Sequence, residues 1–328
     1  MATSSTKLLE FVDVPALLVA QGCIAYANPA AMELLGSHIL GEDVRIAIRN
    51  PAAVALLTSS ESGRIRLDGL SIAGSKWELS CHKLPGGDVF VTLNDLSVQT
   101  SVARSHADFV ANASHELRTP LASILGYVET LAEPKAGEDR ETRERFLSII
   151  KREVQRMQAL VEDLMSLSRI EAVKHDAPQD KVDLVALARQ AIGEVQDRQS
   201  LSLEANAPSA VVAGDSGQLA QVLRNLIDNA LKYGKPGGPV TVSIETTASG
   251  WVNLTIHNAG DGIAPEHLPR LTERFYRVDT SRSREAGGTG LGLSIVKHIV
   301  ERHRGRFDIT SRLGEGTTAS IMLRQVLD

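Results

Sequence analysis

Residues 109–127 read FVANASHELRTPLASILGY, and the organisation of the chain follows from them. Val110, Ala113, Leu117, Leu121, Ile124, Val128 and Leu131 recur at spacings of three and four, an apolar seam along one face of a helix. At about 100° per residue, His115 points roughly 160° away from Leu117 and so lies off the seam. Thr119 follows four residues later and shares that outer face. Pro120 removes the backbone bond that would end on the Glu116 carbonyl, so a bend is expected just beyond the histidine. An exposed imidazole beside a carboxylate suits attack on phosphorus. One ring nitrogen attacks while Glu116 accepts the proton from the other. A lone exposed helical histidine is usually only solvated; the surrounding string gives this one its weight.

Working outward, Pro134 and Gly137 end the run, and a second helix carries Phe146, Ile150, Met157, Leu160, Leu164 and Leu167 on its stripe. Two long amphipathic helices joined by a short turn form a hairpin that cannot close a core alone. Pairing with a second copy into a four-helix bundle is the natural remedy. Upstream, residues 8–96 have the texture of short strands: Ala16–Ala20, a Gln21-Gly22 turn, then Cys23–Ala27. Asn28-Pro29 reads as an N-cap with proline at the first helical position. Residues 77–84 and 88–93 flank Pro85-Gly86-Gly87, a hairpin signal. Downstream, a polar break at 176–180 precedes alternating helices and strands, where the glycine-rich segments lie.

The 328 residues allow two or three domains. Basic residues number 35 against 40 acidic, a net charge of −5, which gives no support for a nucleic-acid or anionic-membrane binder. The longest apolar run, residues 52–57, falls far short of the roughly 18 residues of a membrane span, and no secretory signal opens the sequence. Cys23 and Cys81 form no metal spacing or disulfide framework, and packing roles in strands are expected for both. Trp77 and Trp251 are expected on core or strand faces, and His106, His298 and His303 are expected to be solvated.

In the last third, Asp215 can cap a helix running to about Tyr233 and ended by Gly234. Leu219, Val222, Leu223, Leu226, Ile227, Ala230 and Leu231 fill its core face. Asn225, Asn229 and Lys232 fall within about 60° of one another on a different face. Asparagine is a mediocre helix former, so two beside a lysine ask for a reason. Amide oxygens plus an ammonium suit Mg²⁺ and the phosphates it carries, although a solvated polar face gives the same pattern. After a strand comes IHNAGDGI, whose Gly260 and Gly262 allow close backbone approach. The segment ERFYRVDTSRSREAGGTGLGL, residues 273–293, supplies Arg277, Arg282 and Arg284 as phosphate clamps. Its glycines Gly287, Gly288, Gly290 and Gly292 lead into a helix beginning near Leu291, which turns a positive helix end toward phosphate.

The front end resembles a PAS domain, in its strand–turn–strand–YANPAAMELLG opening and in its exit at Asp95-Leu96-Ser97 into a helix. The string Ser114-His115-Glu116-Leu117-Arg118-Thr119-Pro120 resembles the H-box of dimeric sensor histidine kinases. NLIDNALKY is similar to their N-box, Phe275-Tyr276 to the F-box, GGTGLGL to the G2 box of Bergerat-type ATPases, and LGEGTTASI to the G3 box. The gyrase and mismatch-repair ATPases share that pocket but lack the H-box helix. The PAS-like front end with FVANASHELRTPL most resembles the phosphate-regulon type, here without the usual membrane anchor.

The resemblance implies a multidomain α+β chain. A PAS-like α/β sensor domain spans 1–97. A helical-hairpin dimerisation and phosphotransfer domain, a four-helix bundle as a dimer, spans 98–175. An α/β-sandwich Bergerat ATP-binding domain spans 180–328. It implies His115 as phosphoacceptor, Glu116 as its acid/base partner and Thr119 as the residue that positions water for dephosphorylating a regulator. It implies an ATP site of Asn225, Lys232, Tyr233, Asn258, Gly260, Gly262, Phe275, Arg277, Arg282, Gly288, Gly290, Leu291 and Gly292, with Asn229 as the Mg²⁺ ligand. Asn258 stands where the family has an aspartate that accepts from the adenine amino group. An amide can still accept that bond, but without charge assistance, so weak ATP binding is expected. The implied partners are a response-regulator receiver domain and a second copy of the chain, and the implied location is the cytoplasm. Two alternatives remain: a regulator phosphatase with ATP as conformational ligand, or a non-catalytic scaffold.

Overall fold

A computed structural model describes residues 9–59, 61–70, 75–133, 139–173, 176–195, 200–278 and 288–326. The chain divides into two compact units, Met1–Ala111 and Asn112–Asp328.

In the first unit, β1 (Ala16–Ala20) and β2 (Cys23–Ala27) meet at Gln21 and Gly22, with φ of 52° and 82°. Two residues at positive φ match the right-handed twist of the strands they join. Asn28 caps α1 (Pro29–Leu35) from a fully buried position. Its Oδ1 accepts from Ala16 N at 2.9 Å and Ala31 N at 3.0 Å, and its Nδ2 donates to the Val12 and Val14 carbonyls. A buried amide must be satisfied, and this one fastens the segment before β1 to the start of α1. After α2 (Val44–Ala47) and α3 (Pro51–Thr58) come β3 (Gly63–Asp68), β4 (Lys76–Lys83) and β5 (Val89–Asp95). The sheet order is β2-β1-β5-β4-β3, antiparallel throughout. Trp77, Leu79 and Cys81 alternate with less buried neighbours, as do Val89, Val91 and Leu93, so one sheet face fills the core. Cys81 is therefore a packing residue, while Cys23 is exposed on its strand. At the exit, Ser97 Oγ accepts from Lys76 N at 2.9 Å and Ser97 N donates to Asp95 Oδ1 at 2.7 Å. The long helix α4 (Ser97–Ala132) starts there.

In the second unit, α4 continues without a break past the buried Pro120, and α5 (Arg140–Ala172) follows, capped by Asp139. Tyr127 and Phe146 join the two helices, ring centroids 5.0 Å apart. The expected loop at 134–138 lies outside the described residues. Leu121, Leu125 and Val128 of α4, with Leu147, Val154, Val161 and Met165 of α5, remain exposed in the single chain. Of the expected α4 seam, Val110, Leu121 and Val128 are thus exposed, whereas the expected α5 stripe is half-buried at Phe146, Ile150, Met157 and Leu164, and the exposed apolar residues of α5 lie off it. Leu160, Leu167 and Ile170 depart from that picture: they are buried, in the half of α5 that packs on a helix of the following layer.

That layer is a two-layer sandwich. After β6 (Lys181–Asp183) come α6 (Leu184–Glu194), β7 (Leu201–Ala205), β8 (Val211–Ala213) and α7 (Ser216–Tyr233). They are followed by β9 (Val240–Thr246), β10 (Trp251–Asn258), α8 (Gly292–Arg302), β11 (Arg306–Arg312) and β12 (Gly316–Arg324). The sheet runs β11-β12-β10-β9-β7, antiparallel except for the parallel β7–β9 pair. The apolar stripe of α7 is buried from Leu219 to Ala230, and Ile295, Val296, Ile299 and Val300 of α8 join it over Val242, Ile244, Val252, Leu254 and Ile256. Leu231, expected on the stripe, is only half-buried at its edge.

Two histidines depart from the expectation of solvation. His303 is buried: Nε2 accepts from Asp215 N at 3.0 Å, and Nδ1 lies 2.7 Å from the Ile299 carbonyl. This ring closes the end of α8 against the cap of α7. His298 is half-buried, with its nitrogens within 4 Å of Glu171 and Glu301. Asp215 and Glu171 come from other helices or caps, which helical periodicity does not reach, whereas Ile299 and Glu301 are near neighbours on α8 itself. The side chain of His106 lies outside the description.

Candidate active site

Helix α7 positions the site. Asp215 Oδ1 accepts from Gln218 N at 3.1 Å, fixing its start, and Gly234 ends it. With the apolar stripe turned to the sheet, Asn225, Asn229 and Lys232 face a pocket of about 400 Å³. Its floor is apolar sheet surface, Ile256 and Ile309 among it, with Ile263 and Leu271 alongside and the Asn258 amide at the end of β10. Its opposite side is polar: Lys232, the two asparagines and the loop Gly288-Thr289-Gly290 ahead of α8.

Glycine is required by geometry at two positions. Gly290 has φ +75°, and a Cβ there would sit 2.9 Å from Phe275 Cα. Phe275, itself at φ 64°, donates its N–H to the Gly290 carbonyl at 2.8 Å. Gly262 has φ +72°, and a Cβ would come within 2.1 Å of the Arg312 carbonyl. The loop is tied to α7 by Asn225 Nδ2, which donates to the Gly292 carbonyl at 3.2 Å.

Of the expected ATP residues, Asn225, Lys232, Tyr233, Asn258, Gly262, Arg277, Gly288, Gly290 and Gly292 line the pocket, as does Asn229. Gly260, Phe275 and Leu291 are not part of the lining. Leu291 is fully buried, and Phe275 acts through its backbone on Gly290. Arg282, Arg284 and Gly287 fall outside the described residues. His115 and Thr119 are exposed on α4, and Thr119 Oγ1 donates to the His115 carbonyl at 3.3 Å.

No local pattern marks three further side chains, all from the helical hairpin. Ala159 and Asp163 of α5 line the pocket. Asp163 Oδ2 accepts from Thr289 Oγ1 at 2.6 Å, and burial pushes its carboxyl above the usual range, opposed by the Thr289 bond and nearby Lys232. Arg156 also enters: its Nη2 donates to Glu116 Oε2 at 3.1 Å, and Arg277 Nη2 donates to the same oxygen at 3.0 Å. Arg277 is therefore engaged with the carboxylate beside His115, its side chain 6% exposed. Ser166–Gln221, Glu171–Arg274 and Arg302 with the Val173 and Asp176 carbonyls extend the contact along α5.

Among the described residues no cluster of three His, Cys, Asp or Glu side chains could hold a metal. The donor set is the amide oxygens and ammonium of α7 with the Thr289 hydroxyl and loop N–H groups ahead of the α8 N-terminus. That set fits a phosphate-bound Mg²⁺, which takes most of its ligands from phosphate and water; Asn229 would hold it, and Lys232 with the loop N–H groups would hold the phosphates.

Residues 105–173 match the family described as His Kinase A (phospho-acceptor) domain, and residues 214–327 match the histidine kinase-, DNA gyrase B- and HSP90-like ATPases. The phosphate regulon sensor protein PhoR of Pseudomonas aeruginosa is 36% identical over 93% of this chain and 70% of its own length. Sensor protein SrrB of Staphylococcus aureus is 38% identical over 72% of this chain and 41% of its own. Among solved structures, Acinetobacter baumannii histidine kinase AdeS aligns with TM-score 0.51 and 26% identity over 65% of this chain and 98% of that one. The chain belongs to the sensor histidine kinases. No helix among the described residues is long and apolar enough to cross a membrane.

Proposed function

We propose that the chain transfers the γ-phosphoryl group of ATP to His115 and then to an aspartate of a separate response regulator, and that it also dephosphorylates that regulator. One observation carries the reading above others: the polar face of α7 and the glycine loop before α8 converge on one pocket, joined by the Asn225–Gly292 bond. An apolar floor with a single amide suits a heterocyclic base, and the polar side suits a triphosphate.

A ring nitrogen of His115 attacks the γ-phosphorus, the bond to the β–γ bridging oxygen breaks, and ADP leaves. Glu116 takes the proton from the other ring nitrogen. Asn229 would hold Mg²⁺, which when bound would supply charge neutralisation; Asn225, Lys232 and the loop orient the phosphates. To serve as base, Glu116 must exchange Arg156 and Arg277 for the imidazole. Their hold on it favours a resting or regulator-dephosphorylating arrangement, in which exposed Thr119 positions the attacking water. The exposed apolar residues Leu121 and Val128 of α4 and Leu147, Val154 and Val161 of α5 support a homodimer. The β2-β1-β5-β4-β3 order supports a PAS-like sensor over 1–97, with cytoplasmic work for the whole. The domain limits 98–175 and 180–328 complete the proposal.

Incubation with ATP labelled at the γ-phosphate tests it. His115→Ala should abolish acid-labile labelling while nucleotide binding persists; labelling that survives in this variant sinks the assignment.

A further inference from the structure

The proposed nucleotide pocket reads its base through one uncharged side chain. Asn258 is 7% exposed and lines the pocket at the end of β10. The only hydrogen bond of its side chain among the described residues is from Nδ2 to the Ala259 carbonyl at 3.5 Å. That is at the outer limit of a hydrogen bond. Oδ1 has no partner among the described residues. The amide is thus nine-tenths buried, weakly tethered and facing a pocket whose floor here is apolar, Ile256 and Ile309 included.

Oδ1 stays open to solvent in the free pocket, so a ligand that covers it must offer a polar partner in place of water. Such an amide has two faces: Oδ1 accepts and Nδ2 donates, and rotation by 180° exchanges them. A 6-amino purine offers a donor at its edge, which Oδ1 accepts in the orientation described. A 6-oxo purine offers an acceptor, which Nδ2 meets after rotation. That rotation exchanges the 3.5 Å contact to Ala259 for an approach of two oxygens at a similar distance, a small cost because the contact given up is itself at the outer limit of a hydrogen bond. A carboxylate in the same place would only accept, and would turn its charge on the 6-oxo group.

We infer that Asn258 makes this pocket tolerant of the purine 6-substituent, so that 6-oxo purine nucleoside triphosphates enter as well as ATP. The inference rests on the nucleotide reading of the pocket and deepens it. Gly260, beside the amide, leaves little slack: a Cβ there would lie 3.4 Å from Asn258 Nδ2. Discrimination at this edge therefore falls to the amide, with close backbone around it and the Thr317 side chain on the paired strand.

Competition against a fluorescent ATP analogue on the full chain tests it, with inosine triphosphate as the probe. Inosine differs from adenosine at the 6-position without adding a 2-amino group, so steric exclusion at the 2-position does not enter. The unaltered chain should bind ATP and inosine triphosphate within about tenfold of each other. Asn258→Asp, the same size and shape, should tighten ATP and weaken inosine triphosphate, changing their ratio by at least about tenfold, the size of one buried mismatched hydrogen-bonding group. ATP binding with inosine triphosphate disfavoured more than tenfold in the unaltered chain overturns the inference alone, as does a ratio unmoved by Asn258→Asp. Failure of both triphosphates to bind overturns the nucleotide reading and the inference together.

Discussion

Asp163 Oδ2 accepts a hydrogen bond from Thr289 Oγ1 at 2.6 Å, across a sequence separation of 126 residues. It sets a half-buried carboxylate of α5 beside Lys232 in the pocket proposed for phosphates. A carboxylate there competes with a triphosphate for the same hydroxyl and ammonium. Asp163→Asn keeps the shape and removes the charge, and should tighten ATP by about three- to tenfold, or roughly 1 kcal/mol. Titration calorimetry on the two proteins measures it; ATP binding that weakens instead would place Asp163 among the groups that help hold the ligand.

The loop before α8 tolerates no side chain at Gly290. With φ +75° and a Cβ 2.9 Å from Phe275 Cα, Gly290→Ala meets both backbone strain of about 1 kcal/mol or more and a clash. ATP affinity should fall at least about tenfold while circular dichroism stays unchanged, because the helices and sheet do not depend on this turn.

His303 links stability to pH. Burial pulls its pKa below the usual 6.5, with Arg302 adding to the shift and the Ile299 bond and Asp215 opposing it. Its Nε2 must be unprotonated to accept from Asp215 N. The folded state therefore prefers the neutral ring. The stabilisation is fully present above about pH 6.5 and is lost as pH falls from there toward the lowered value. Melting temperature should drop between pH 7.5 and 5.5 more steeply in the unaltered chain than in His303→Gln. Parallel curves would remove His303 from the account.

ATP should bind with a dissociation constant above about 1 μM, since the Asn258 amide lacks the charge assistance of a carboxylate. Equilibrium binding at physiological salt decides it, and a tighter constant would show that other contacts compensate.

Thr119→Ala should leave autophosphorylation intact and slow loss of phosphate from a phosphorylated regulator. Timed dephosphorylation assays separate the two steps, and an unchanged rate refutes the role.

Much of the fold was legible because local rules wrote it. The first two strands, the Asn28 and Asp215 caps and the buried stripe of α7 follow from period and capping chemistry within a few residues of each site. The polar face of α7 and the glycine loop could be named for the same reason. Asp163 could not, because nothing around it on the α5 stripe distinguishes it from an exposed carboxylate. Leu160 and Leu167 show the same limit: periodicity predicted an apolar stripe, and it did not say that part of it would cover α8 and not a second hairpin.

The sequence by itself determined the elements, the order of the motifs and the chemistry each could offer, since helix and strand periodicity and turn stereochemistry act over short range. Tertiary structure alone decided which groups share an environment. Glu116 meets Arg277 across 161 residues, Thr289 meets Asp163 across 126, and His303 meets Asp215 across 88. Burial and pairing are what shift a pKa or occupy a carboxylate, and both depend on chain closure over distances that no local pattern encodes.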